Sequence, residues 1–327
     1  MSRVLSGTRP TGKLHLGHLL GALENYKKLQ GQDAFFMIAD LHALTTEYEH
    51  KTTIAQNVME IVIDYLASGL EPDKCTMFVQ SEVLEHANLA LLFSMITPIS
   101  WLERNPTYKD QINELRGKDL HTHGFLGYPV LQAADIAIYK AEKVPVGEDQ
   151  LPHLELTREI IRRFHHLYEK DVFPEPVAVL TQVPKVLGLD GRKMSKSYKN
   201  GIYLADSAEE VTKKIKTQMV TDPARKRRED KGDPEKCPVF SYHKLFNKER
   251  VDGVADECRN ALRGCVDCKM EMCGKLNQFL DPIRERRQSW MKKPKEIREI
   301  LDQGAAKARS VARQTLTEAS QAMGLLP

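Results

Sequence analysis

Two short stretches, about 175 residues apart, carry side chains suited to phosphate chemistry. The first reads Arg9-Pro10-Thr11-Gly12-Lys13-Leu14-His15-Leu16-Gly17-His18. Metal binding by His15 and His18 would call for a third nitrogen or an acid nearby in sequence, and none is there. Ordinary core or surface histidines are the other plain reading. A nucleotide site accounts for more of the pattern. Gly17 has no side chain, so an adenine or ribose can lie against its backbone. A helix starting here offers free amides and partial positive charge to phosphate. The histidine N–H groups suit charge that grows on phosphate oxygens in a transition state. The second stretch, Lys193-Met194-Ser195-Lys196-Ser197, follows Gly188, Asp190 and Gly191. Two lysines and two hydroxyls on a glycine-flanked loop suit an anion clamp that closes late and stabilises departing pyrophosphate. Alone it also reads as an exposed basic turn; paired with the histidine loop, the clamp reading prevails.

The first stretch must sit between a strand and a helix. A short apolar run at residues 4–6 ends in Gly7, Pro10 and Gly12, which predicts a strand and then a tight loop. From Gly17 the apolar residues Leu19, Leu20, Leu23 and Leu29 recur at helical spacing. Residues 34–39 predict a buried strand, 53–66 an amphipathic helix and 76–80 the next strand. This alternation implies a parallel sheet with right-handed crossovers, doubly wound and Rossmann-like. Ligands collect at the carboxyl ends of such strands, so the 7–18 loop belongs at the site. Residues 103–143, polar and then mixed, predict an insertion or connector that carries pocket residues. Strand signals return at 144–146 and 177–180, around a helix at about 152–166. Beyond about residue 201 strand signals fade and amphipathic stretches take over. The expected class is therefore α/β: a catalytic domain over 1–200 and a helical domain over 201–327.

The 327 residues suffice for two domains with a sizeable core. A net charge of +3 excludes a histone-like nucleic-acid binder, but not a local basic patch. Residues 225–228 and 284–295 are such local clusters, candidate phosphate contacts whose bland reading is a solvated helix face. No apolar run approaches the length of a membrane span, and the first residues lack the core of a signal peptide. A cytoplasmic protein is expected. Its six cysteines are then thiols or metal ligands rather than disulfides. Cys75 adjoins a strand and reads as a buried thiol. Cys237, Cys258, Cys265 and Cys268 give a Cys-x20-Cys-x6-Cys-x2-Cys pattern, with Cys273 beyond it. Thiolates at this spacing bind soft metals, either one zinc or an iron–sulfur cluster. Zinc ribbons usually show two Cys-x2-Cys knuckles, and the single one here weakly favours a cluster.

The paired loops resemble the two signatures of class I aminoacyl-tRNA synthetases. A third stretch, Gly147-Glu148-Asp149-Gln150 followed by His153-Leu154-Glu155-Leu156-Thr157-Arg158, looks like a block of the tryptophanyl enzymes. Tyr128-Pro129-Val130-Leu131-Gln132-Ala133-Ala134-Asp135 is similar to their amino-acid pocket segment. The resemblance implies a tryptophan–tRNA ligase that uses ATP with Mg²⁺, acts on L-tryptophan and tRNA(Trp), and forms a homodimer. It implies that His15, His18, Lys193 and Lys196 stabilise transition-state charge, with Lys109 a weaker candidate. ATP would meet Arg9, Pro10, Thr11, Gly17, His18, Gly147, Glu148, Asp149 and Val186, and residues 193–197 from Lys193 through Met194, Ser195 and Lys196 to Ser197. Tryptophan would meet Tyr128, Gln132, Asp135 and Gln150, with Asp135 accepting the indole N–H. The cysteine pattern is similar to that of tryptophanyl enzymes carrying a [4Fe-4S] cluster on four cysteines, with zinc as second choice and Cys273 spare. Arg9 stands where glutamine is usual, Gln132 where methionine is common, and His15 and His18 where threonine and asparagine are. Rival readings are a tyrosyl enzyme, a nucleotidyltransferase of cofactor synthesis, and a non-catalytic RNA-binding paralogue.

Overall fold

The computed structural model describes residues 2–49, 53–114, 120–180, 186–196 and 198–325. Five strands form one sheet: β1 (Arg3–Thr8), β2 (Asp33–Ile38), β3 (Thr76–Val79), β4 (Lys143–Val146) and β5 (Val177–Leu180). Their order is β3-β2-β1-β4-β5 and every pairing is parallel. The chain builds outward from β1 in one direction and then returns to β1's other side with β4. That reversal opens a crevice between the carboxyl ends of β1 and β4, the place where doubly wound sheets bind ligands. Both the 9–18 loop and the 147–150 turn leave the sheet at this crevice.

Side chains alternate across each strand, and each face of the sheet has its own core. On one face Val4, Phe36, Ile38, Met77 and Val79 pack against Leu16, Ile61, Tyr65, Leu276 and Leu280. On the other, Leu5, Phe35, Met37, Phe78 and Val144 pack against Val130, Ile160, Phe164 and Ala308. Covering on both sides explains why β2 is apolar almost throughout. Helix Pro294–Ala322 lies along β3 and buries the small residues Gly304, Ala305, Ala308, Ala312 and Ala319. Gly304 is obligatory there: a Cβ would stand 1.8 Å from the Met77 carbonyl oxygen. The β3 edge is therefore closed by a backbone-tight helix rather than left open.

Within the 103–143 segment, helix His123–Ile138 is built into the core, buried from Phe125 to Ile138 on nearly every face. Burial all round removes the polar stripe that marks a surface helix, so the sequence carries no clear period there. Beyond β5 the regular elements among the described residues are helices, with Cys265–Met291 and Pro294–Ala322 the longest.

Arginines of the long helix Cys265–Met291 tie it to the neighbouring helix Thr53–Ala67 and to the chain at Asp206. Arg287 pairs with Asp64 and, at 2.7 Å, with Glu60 on helix Thr53–Ala67, and Arg286 donates to the Ala67 carbonyl at 2.5 Å. Arg284 donates to the Asp206 carbonyl at 3.0 Å. Arg225 is likewise interior, donating to the carbonyls of Arg228 and Arg263 at 2.7 Å each. These arginines were expected as phosphate contacts. Charge count shows that a segment is basic, not which way its side chains point.

Candidate active site at the sheet crevice

Leu14 and Leu16 are buried and pin the first loop, while backbone bonds from Leu16 to Ile202 and from Leu204 to Leu14 hold it against the following chain. The rings of His15 and His18 meet at a 45° tilt, 3.8 Å between centroids. The Gly17 amide donates to His15 Nδ1 at 3.1 Å, and the His15 amide donates to His18 Nδ1 at 3.1 Å. A backbone N–H can only donate, so both Nδ1 atoms are acceptors and each neutral ring carries its proton on Nε2. Burial, reinforced by the Lys196 charge, lowers His15 to about 4. Burial, His15 and Lys196 lower His18 further. Both rings are thus neutral N–H donors at pH 7. A Cβ on Gly17 would crowd the His15 ring at 3.0 Å, so the glycine sets the ring positions as well as leaving the backbone bare.

The second loop is held by Asn200, buried at its base. Its amide donates to Asp190 at 2.7 Å and to the Lys193 carbonyl at 3.2 Å, and its oxygen accepts the Ser195 amide at 2.9 Å. A Cβ on Gly188 would collide with this side chain at 2.2 Å. Met194 and Val186 are buried in the core and share a backbone bond of 3.0 Å, so what they can offer a nucleotide is main chain. Lys196 reaches across to the first loop and donates to the Gly12 carbonyl at 2.8 Å. Burial, with the Arg9 charge, brings its pKa down to about 8 against the pull of Asp64. Lys193 stays exposed, away from this meeting point. Ser197 lies outside the described residues. Arg9 opens onto the crevice, yet protein surrounds enough of it that lost hydration lowers its pKa, opposed by Tyr128 and Glu47.

Tyr128, Gln132 and Asp135 sit four and three apart on helix His123–Ile138 and therefore share a face. Asp135 is buried and accepts three hydrogen bonds: Gln80 Nε2 at 2.8 Å, His86 Nδ1 at 2.6 Å and His42 Nε2 at 2.7 Å. Burial pushes its carboxyl up, but His42 and His86 outweigh that, and its pKa lies below the ordinary value. Tyr128 shares a 3.0 Å hydrogen bond with His153 Nε2, and His153 Nδ1 lies 3.2 Å from the Asn105 amide nitrogen. Asn105 Oδ1 accepts the Thr107 amide at 3.0 Å at the start of helix Pro106–Glu114, which carries the exposed Lys109. That fixes the Asn105 amide, so its nitrogen donates to His153 Nδ1 and neutral His153 donates from Nε2 to Tyr128. Burial, with His42 nearby, lowers His153 to about 4. Gly147 follows β4 directly; a Cβ there would meet Asp149 Oδ1 at 2.6 Å. Glu148 and Asp149 are exposed at the crevice mouth, and Gln150 donates to Asp149 at 2.9 Å.

The structure thus gathers His15, His18, Lys196 and Arg9 at one end of the crevice and Tyr128 and Asp135 beside them. Sequence reading missed His42, Gln80, His86, Asn105 and His153. A usable signal existed for two of them: Gln80 directly follows β3 and His42 stands four residues after β2, at the carboxyl ends where ligands gather.

Cys237, Cys258, Cys265 and Cys268 line one small cavity together with Arg225 and Arg263. They arrive from three helices: Cys237 immediately precedes Pro238–Phe246, Cys258 is on Val251–Arg259, and the other two open Cys265–Met291. Burial pushes the Cys268 thiol up to about 12 and raises Cys258. Among the described residues no three acidic, histidine or cysteine side chains are close enough to hold a single metal ion. Cys273 packs elsewhere, against Thr212 and Asn277.

The family described as class I tRNA synthetases (W and Y) matches residues 1–281. The chain is 53% identical to the tryptophan–tRNA ligase of Thermotoga maritima, over 99% of each protein. It is 47% identical to that of Aquifex aeolicus, over 99% of this chain and 100% of the relative. The crystal structure of tryptophanyl-tRNA synthetase from Campylobacter jejuni, complexed with ADP and tryptophan, superposes with a TM-score of 0.89 at 33% identity, covering 99% of this chain and 100% of that one.

Proposed function

The chain belongs to the class I tRNA synthetases of tryptophan and tyrosine, and from that premise we infer how it works as a tryptophan–tRNA ligase. The tryptophan carboxylate attacks the α-phosphate of ATP, forming tryptophanyl-adenylate and releasing pyrophosphate. A ribose hydroxyl of the terminal adenosine of tRNA(Trp) then attacks the adenylate carbonyl and releases AMP. No side chain needs to act as nucleophile; rate comes from positioning and electrostatics. The Nε2–H groups of His15 and His18 and the Lys196 ammonium face the charge that builds on the phosphates. Lys193 joins them on closure of its loop. Arg9, next to both Tyr128 and Lys196 in charge, sits between the amino-acid end and the phosphate end. Mg²⁺ would accompany ATP and supply further positive charge to its phosphates.

The observation that carries the substrate assignment is Asp135, buried, ionised and on one helix face with Tyr128 and Gln132. Such an acceptor suits an indole N–H, a bond worth roughly 1.5–3 kcal/mol. ATP–pyrophosphate exchange with tryptophan and with tyrosine, on wild type and Asp135→Ala, tests it. Exchange with tryptophan alone, weakened in the variant through a raised KM, is expected. Exchange with tyrosine would overturn the assignment.

Residues 1–200 hold the chemistry in this reading, and the helical region over 201–327 faces the tRNA. The enzyme works in the cytoplasm as a homodimer, in keeping with the exposed apolar residues Leu84, Leu91, Met95 and Ile99 on and beside helix Glu85–Ile96. The four-cysteine cavity fits a [4Fe-4S] cluster in its donors: four soft sulfurs around one space, flanked by two guanidinium groups that offset thiolate charge. Bound there, a cluster would cross-link the three helices.

A further inference from the structure

An ionised carboxylate offers about four lone-pair positions. In Asp135 both positions of Oδ1 are taken, one by Gln80 Nε2 at 2.8 Å and one by His86 Nδ1 at 2.6 Å. Among the described residues Oδ2 accepts one hydrogen bond, from His42 Nε2 at 2.7 Å, which leaves one acceptor position on Oδ2. What keeps the carboxylate from rotating is the pair on Oδ1, and His86 is its rigid member. His86 is fully buried and cannot touch a substrate. Its Nε2 meets the Tyr139 hydroxyl at 2.7 Å. Because the carboxylate only accepts, His86 donates to it from Nδ1, and its Nε2 and the Tyr139 hydroxyl share the second hydrogen bond. Tyr139 in turn stacks on Phe35 at 4.8 Å and meets Phe78 edge-on at 5.6 Å, side chains of β2 and β3.

We propose that His86, backed by Tyr139, is a positioning residue for amino-acid selection: it transmits the rigidity of the sheet to Asp135 and leaves a single lone pair for the indole N–H. The proposal rests on the reading of Asp135 as the indole acceptor. It differs from a general packing role in one respect. A packing residue would change all substrates alike, whereas His86 governs only the part of recognition that depends on the N–H.

The test is ATP–pyrophosphate exchange with tryptophan and with 3-(benzothien-3-yl)alanine, in which sulfur replaces the N–H. The quantity read is the ratio of the two kcat/KM values. Asp135→Asn is expected to collapse the ratio; if it leaves the ratio unchanged, the Asp135 reading itself fails. With that control in place, His86→Leu is expected to lower the ratio about tenfold, mainly through KM for tryptophan. His86→Asn keeps a donor near the Nδ1 position and should recover most of the ratio. Tyr139→Phe, which removes only the O–H, should lower it about threefold, the lower end of a single hydrogen bond. It carries the test should His86→Leu not fold. A folded His86→Leu or Tyr139→Phe enzyme whose two kcat/KM values fall in proportion, leaving the ratio intact, overturns the proposal.

Discussion

Asp135 arrives with three donors already in place, whereas Lys196 reaches the opposite loop through a hydrogen bond to the Gly12 carbonyl. The amino-acid end draws its contacts from the packed segments that follow β2 and β3 and from a buried helix, elements that cannot move without opening the core. The phosphate end is assembled from two loops. Of its two signature lysines one is docked and one is exposed. The difference matches the work at each end. Selection of a small apolar ligand needs an acceptor whose direction is set beforehand. Pyrophosphate departure needs charge delivered late, because an interaction present equally in the ground state adds nothing to kcat.

The sharpest way to break this comparison is to remove the late charge. Lys196→Ala should lower kcat for exchange by roughly 10²–10³ while leaving KM for tryptophan near wild type. A comparable rise in that KM would show that the loop belongs to binding as well. Asp135→Ala should do the reverse, raising KM for tryptophan about a hundredfold. Its cost includes three buried donors left without a partner.

How far each end could be read from sequence follows from the same contrast. The phosphate end is two contiguous motifs, so His15, His18 and Lys196 were visible as residue types at fixed spacing. Asp135 was visible as part of a segment. Its partners were not: His42, Gln80 and His86 lie 93, 55 and 49 residues away, and each alone reads as an ordinary polar residue near a strand end. The strands were legible because apolar runs bounded by Gly and Pro mark them. Helix His123–Ile138 was blurred because burial on all sides erases its period. Within the basic clusters Arg225, Arg284 and Arg287 turn inward while Lys226, Arg227, Arg228 and Lys292 stay exposed, a division that only tertiary partners decide.

A smaller effect separates the ends by pH. Lys196 is lowered to about 8 by burial and by Arg9, so its ammonium form dominates below that value and is lost above it. His15, near 4, stays neutral throughout. kcat/KM for exchange should therefore fall as pH rises through about 8. Lys196→Arg, whose guanidinium stays charged, should move that limb upward. A limb unmoved by this substitution would assign the titration to another group. The cysteine region offers a contrast with both ends. Anaerobically purified protein should carry about four irons per chain. Cys258→Ser should lower iron content and melting temperature while exchange persists. One zinc per chain instead would reject the cluster.

The last test concerns what holds the two halves of the molecule in register. Arg287 is buried between Asp64 and Glu60, and burial raises Asp64 to about 6 even against the pull of Arg287. The folded-state pKa is above the ordinary value, so the stability this group contributes is complete at low pH and is lost as pH rises through about 6. At pH 8 the carboxylate is charged and depends on Arg287. Arg287→Met should then cost about 3–5 kcal/mol, the usual result of leaving one partner of a buried pair uncompensated. At pH 5 Asp64 can take up a proton, and the deficit should shrink. Denaturant melts of wild type and variant at the two pH values read this directly. Adding Asp64→Asn to Arg287→Met should restore part of the loss at pH 8, because an amide needs no counter-charge. A deficit equal at both pH values, with no rescue by the second substitution, would mean that Arg287 acts through packing of its stem rather than through its charge.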